Sequence, residues 1–209
     1  KGAEGGYKAM KKLFLYTCFI LFAGCAPAPK LLPLEDGLKV NRENFMSVYE
    51  GEEVKILVKA QAWKYSPSDL PYYVTPLYME VKNLSQKNIS IDRHGIYLLD
   101  DRGNQYNALS PGEVSSMLSY SVGFSLGMAY YSSPYWFGWY PYYPYYPPTY
   151  PDILNYAFVY GTVEPKATLK GFLYFQKLPK EIKNVTLKIT YRVNGETKSV
   201  SFPFQVENK

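Results

Sequence analysis

The sequence predicts a mainly β chain folded as an antiparallel sandwich, and three observations predict it. Asn194-Gly195 separates two alternating apolar runs, the strongest short hairpin signal a sequence carries. Further short runs of strand character recur between residues 44 and 206, punctuated by Asn, Asp, Gly and Pro. No helical segments alternate with these runs, which argues against βαβ units and a parallel sheet.

Taken in order, residues 1–9, KGAEGGYKA, fit no targeting pattern and read as translated leader upstream of a start at Met10. Met10 to Gly24 has the layout of a cleaved signal helix. Lys11 and Lys12 form a positive n-region, and Leu13 to Phe22 an apolar stretch too short for a stop-transfer span. Phe22-Ala23-Gly24-Cys25 resembles the lipobox of bacterial lipoproteins, with Phe22 where Leu is commoner. That resemblance implies cleavage before Cys25 and acylation of its thiol and new amino group. It also implies a protein of the cell envelope held to the membrane by that lipid. Ala26 follows the cysteine where inner-membrane retention signals usually place Asp, so the expected address is the outer membrane, facing the periplasm or the surface.

The 23 basic and 18 acidic residues give a net charge of +5. Residues 1–24 hold Lys1, Lys8, Lys11, Lys12 and Glu4, so without them the balance is 19 against 17, about +2. A charge this small gives no case for nucleic acid as a partner. Both cysteines are spoken for: Cys18 leaves with the signal and Cys25 is the lipid site. No disulfide is therefore expected within the mature chain, and the domain must rely on its packed core.

Residues 25–37 contain three prolines (Pro27, Pro29, Pro33) and no clear period, and read as a semi-extended tether. The domain proper spans residues 38–209. Asn44 to Tyr49 reads as a first short strand. Val54 to Tyr65 alternates, with Val54, Ile56, Val58, Ala60 and Ala62 on one face; Leu57 and Trp63 interrupt the polar face and predict partial cover there. Tyr73 to Lys82 is the next strand, with Leu77, Met79 and Val81 facing one way. A short strand at Ile89/Ile91 follows, then Gly95 to Leu99 and Gln105 to Leu109 around the Asp100-to-Asn104 turn.

Thr168 to Phe175 is a strand and Leu178 to Asn184 a polar loop. Val185 to Val193 and Glu196 to Val206 form the hairpin. Partners across its turn sum to 389, which sets Val185 against Phe204, Leu187 against Phe202 and Ile189 against Val200 on one face. Pro203 lacks an N–H, so this strand is expected to be an edge, or bulged, at that position. The count is seven or eight strands.

Val81-Lys82-Asn83, the turn Asp100 to Tyr106, and Val163-Glu164-Pro165 running on to Gly171-Phe172-Leu173-Tyr174-Phe175 resemble the telokin-like, immunoglobulin-fold domains of bacterial lipoproteins. The resemblance covers roughly Val54 to Val206 without the insert described next. It implies an exported immunoglobulin-like β-sandwich, and it brings no catalytic residue with it.

The insert spans residues 110–151, and from Val114 to Pro151 it holds no charged residue. Ser110-Pro111-Gly112-Glu113 has capping-box spacing with Pro at the first helical position, predicting a helix from Pro111 to about Tyr131, apolar nearly all round. Tyr130 to Pro151 contains nine tyrosines and six prolines, which exclude a regular helix or central strand. It reads either as aromatic cover over Trp63 or Leu57, as a segment touching a membrane, or as a recognition surface. On the last reading the candidate residues are Tyr135, Trp136, Trp139, Tyr140, Tyr142, Tyr143, Tyr145 and Tyr146, since such rings offer rigid contact area with polar tips.

Nothing assembles into a catalytic set, and no enzyme is expected. Gly123-Phe124-Ser125-Leu126-Gly127 matches G-x-S-x-G, but that motif needs a strand-to-helix turn in a parallel sheet and a later histidine. The only histidine, His94, precedes it and reads as a turn residue. The Asp100/Asp101/Asn104 cluster lacks the spacing of a calcium loop, and no metal or cofactor is expected. The function these features predict is a non-enzymatic envelope lipoprotein that binds an envelope protein or its own copies. The alternative is a carbohydrate- or peptidoglycan-binding module using exposed Trp and Tyr rings.

Overall fold

The hairpin adopts the register its turn predicts. In the computed structural model, which describes residues 28–119 and 150–208, strand β10 (Asn184–Val193) and strand β11 (Glu196–Glu207) pair Val185 with Phe204, Leu187 with Phe202 and Ile189 with Val200. Asn194 and Gly195 both take positive φ, at 53° and 84°, the conformation a two-residue turn needs and that glycine enters without a Cβ penalty.

The remaining strands are β1 (Lys30–Pro33), β2 (Lys39–Asn41), β3 (Met46–Glu50), β4 (Val54–Lys59), β5 (Val74–Asn83), β6 (Ile89–Asp100), β7 (Gln105–Asn107), β8 (Gly161–Val163) and β9 (Thr168–Gln176). They form two antiparallel sheets. One runs β1-β11-β10-β6-β7, with β8 also on β6, and the other runs β2-β3-β4-β5-β9. The chain changes sheet between β1 and β2, between β5 and β6, between β8 and β9, and again between β9 and β10, which sets β4-β5-β9 against β6-β10-β11. This is the immunoglobulin-like arrangement of a sandwich.

The core lies between the sheets. Val54, Ile56, Val58, Leu77, Met79 and Val81 from one face Ile96, Leu98, Leu187, Ile189 and Phe202 from the other, all fully buried. The alternation along these strands follows from the period-two pleat.

Four expectations are corrected. Lys30–Pro33 of the tether is strand β1, with Leu31 in the core; Pro33 is tolerated because β1 is the edge of its sheet. Ile89/Ile91 and Gly95–Leu99 belong to one continuous strand, β6. Its turn-like residues 92–95 bulge opposite Thr190 alone, because Ile91 pairs with Tyr191 and Ile96 with Ile189. The strand beginning at Val54 ends at Lys59, and Gln61 beyond it has positive φ. The loop after β9 is not wholly polar, because Leu178 and Ile182 turn into the core. At Pro203 the edge is partial: β1 covers β11 from Phe204 to Glu207, and only Leu34 N–H reaches the Pro203 carbonyl, at 2.9 Å.

Two polar anchors fix the turns. Asn83 is fully buried, and its amide donates to the carbonyls of Lys87 (2.7 Å) and Val163 (2.9 Å) while Oδ1 accepts from Ser85 N (2.9 Å) and Oγ (2.8 Å). Asp100 gathers the N–H groups of Arg102 and Asn104, the Asn104 amide and the Tyr106 hydroxyl, all at 2.8–2.9 Å. Asp101 accepts from the N–H groups of Lys183 and Asn184. Between them these two carboxylates accept four backbone N–H groups.

Candidate functional site

The insert is rooted on β9, the last strand of its sheet. Leu109 donates its N–H to the Tyr174 carbonyl (2.7 Å) on the way in. On the way out Phe158 donates to the Phe172 carbonyl (2.9 Å), and Phe172 donates to Tyr156 (2.7 Å). The two roots therefore sit two residues apart along one strand, roughly 7 Å at strand rise. They also seal what is otherwise an open sheet edge.

Gly171 makes that seal possible. A Cβ there would stand 2.5 Å from both N and Cα of Phe158, so only glycine lets the two backbones meet.

Two helices carry the roots away from the edge. Helix α1 starts at residue 111 and is described to residue 119. Its predicted capping box is present: Ser110 N–H donates to Glu113 Oε2 (2.6 Å), and Glu113 N–H donates to Ser110 Oγ (3.2 Å). Arg93 from the β6 bulge also pairs with Glu113, at 3.1 Å. The capping contacts from Ser110, with Arg93 added, hold the Glu113 carboxyl below its ordinary range. Helix α2 is Pro151–Asn155.

Both helices pack on the outer face of β5 and β9. Val114, Leu118 and Ile153 join Leu70, Val74, Phe172 and Tyr174 in an apolar cluster separate from the main core. Trp63 is its hub, with ring centroids 5.0 Å from Phe172, 5.4 Å from Tyr65 and 6.1 Å from Tyr174, all edge-on. Tyr65 stacks on Tyr156 at 3.7 Å and 18°. The polar tips are satisfied: Trp63 Nε1 donates to the Pro67 carbonyl (2.8 Å) and Tyr174 OH to the Ile153 carbonyl (2.9 Å). Burial, with the Asp152 charge nearby, pushes the Tyr174 phenol well up. Around the rim Tyr72, Tyr73, Met117, Leu154 and Tyr156 stay exposed.

Trp63 is thus packed against Phe172, Tyr174 and Tyr65, while the aromatic cover expected from residues 130–149 of the insert lies outside the described residues. Of the predicted site residues, Cys25 and the set Tyr135, Trp136, Trp139, Tyr140, Tyr142, Tyr143, Tyr145 and Tyr146 lie outside the described residues, as do Ser125 and the helix beyond residue 119. His94 lies in the β6 bulge, where its N–H donates to Asp92 Oδ1 (3.0 Å). The aromatic shelf under the insert went unpredicted, though a signal for it exists. Phe172-Leu173-Tyr174-Phe175 is apolar on both faces, which is how a strand covered on both sides reads.

No family model matches the chain, and no curated protein does. One solved structure to which it is similar is a functionally unknown protein from Listeria monocytogenes EGD-e, at 12% identity and a TM-score of 0.36, over 87% of each chain. A likeness of that size carries no functional information.

Proposed function

We propose that this chain is a non-enzymatic envelope lipoprotein, anchored through Cys25, whose telokin-like sandwich serves as a rigid mount for the aromatic insert. One observation carries the reading. The sandwich commits a strand edge, a second apolar cluster and a capping box to fixing both roots of the insert side by side. Such a rooting lets the insert vary or engage a partner without disturbing the core, because loop-closure cost grows only slowly with length. The partner is another envelope protein or a second copy of the chain, at the outer membrane.

A carbohydrate-binding role is the second reading, favoured by the exposed rings of Tyr72, Tyr73 and Tyr156 beside the roots. Crosslinking in native membranes decides. Replacing residues 130–149 with a short Gly/Ser linker is expected to abolish a protein crosslink present in wild type. Unchanged crosslinking, or binding of isolated peptidoglycan lost with Trp136→Ala/Trp139→Ala, overturns the protein-partner reading.

A further inference from the structure

Strand β1 changes what the anchor can do. Lys30 lies opposite Glu207 in the sheet, and the Pro29 carbonyl accepts from Gln61 Nε2 at 3.2 Å. Ala28 and Pro29 line one small cleft with Trp63 and Pro71. The chain is therefore already fixed to the domain at residue 28. From there to Cys25 are three residue steps, roughly 10 Å at full extension. The headgroup layer of one leaflet is itself about 5–8 Å thick. A domain leashed so closely cannot stand clear of the bilayer.

The strand directions determine which surface meets it. β1 begins where β11 ends, β10 begins, and β6 and β9 end. The loops at that end are joined to one another. Val206 N–H donates to the Lys183 carbonyl (2.7 Å), Asn208 Nδ2 to Lys180 (2.7 Å) and the Arg102 guanidinium to Glu181 (3.3 Å). Tyr72 and Tyr73, immediately before β5, are 43% and 40% exposed there. Amphipathic rings of this kind favour the headgroup level. Lys64, Arg102, Lys177, Lys180 and Lys183 are exposed at the same end, among the carboxylates of Asp69, Asp101, Glu181 and Glu207. Asp101 already accepts two backbone N–H groups.

From this geometry we infer that the end of the sandwich formed by residues 60–73, 101–104 and 177–183 rests on the headgroups of a phospholipid bilayer. The inference depends on the lipid anchor at Cys25 proposed above. The turn between β5 and β6 then points away from the membrane, since the ten residues of β5 span about 33 Å.

The test uses the acylated full chain in phosphatidylethanolamine/phosphatidylglycerol vesicles carrying a headgroup nitroxide. Once Cys25 is acylated, an introduced cysteine is the single free thiol, and a fluorophore is attached at Tyr73→Cys, Lys180→Cys or Gln86→Cys. Several-fold stronger quenching at positions 73 and 180 than at 86 is the expected result. Two sites at the docked end guard against one substitution disturbing the fold. Equal quenching at all three, or the strongest at 86, overturns the docked orientation while leaving the anchor intact. A free Cys25 thiol in the wild-type protein, read by mass, overturns the anchor instead.

Discussion

Gly171 and Phe158 meet backbone to backbone, with no room for a methyl group between them. Gly171→Ala must push the strand that leaves the insert off the edge of β9. The overpacking costs about 3 kcal/mol. It is expected to appear as a lowered denaturation midpoint and as faster amide exchange at Phe158 and Phe172. An unchanged midpoint would show that the edge relaxes freely.

Leu187 is fully buried between Phe202 on one side and Leu98 on the other. Leu187→Ala is expected to cost about 2–5 kcal/mol, depending on how far the cavity collapses. Thr190→Ala, on the outer face of the same strand, is expected to cost well under 1 kcal/mol. Equal losses in chemical denaturation would contradict the register.

Asn83 makes every bond its amide offers without contact with solvent. Asn83→Ala leaves the carbonyl of Val163 without its amide donor, for a loss of about 1–3 kcal/mol. The melt should stay cooperative while exchange at the β5–β6 turn and at β8 rises. Exchange confined to the turn would mean that the bond to Val163 contributes nothing.

The Asp100–Tyr106 pair sets two limbs of the pH–stability curve. Burial alone raises the Asp100 carboxyl, but hydrogen bonds from Asn104, Tyr106 and Arg102 outweigh it and hold it below the ordinary value of 3.8. Its contribution is present above that value and is lost as the pH falls through the depressed folded pKa. Burial and the same hydrogen bond push the Tyr106 phenol up to about 12 from 10.0, so its contribution is present below pH 10 and lost toward pH 12. Tyr106→Phe is expected to reduce the alkaline loss and shift the acid limb upward. Denaturation midpoints across pH check both, and unchanged limbs would dissolve the coupling.

The insert is rooted by residues outside its own middle. Replacing residues 120–149 with a short Gly/Ser linker is expected to leave a cooperative sandwich, because Leu109, Tyr156 and Phe158 still bond β9. A chain that fails to fold would make the insert part of the core, and its role as a recognition surface would fall.

Where the sequence was legible, a local rule sufficed. The Asn194-Gly195 turn set ten cross-strand pairs, and Ser110/Glu113 set a helix start. Where it was not, a tertiary contact overrode local character. Asp92 to Gly95 has turn composition, yet these residues bulge within β6 because Ile89 and Ile96 both pair with β10. Leu31 sits in a proline-rich run with no strand period, and only its pairing with Val206 makes it core. The aromatic shelf needed Trp63, Phe172 and Ile153, distant in sequence, to be brought to one sheet face.

Strand β1 also has a kinetic meaning. β1 pairs with the C-terminal end of β11 across nearly the whole described sequence, the most non-local strand pairing in either sheet. Contacts of that separation close late, after β10 and β11 have zipped from their local turn. Until then the C-terminal half of β11 offers its outer hydrogen-bonding groups to any passing strand. Four residues of β1 thus act as the latch of the fold. Exchange at Leu31 and Leu32 should precede global unfolding, and a latch that opens first is where strand exchange between neighbouring molecules begins.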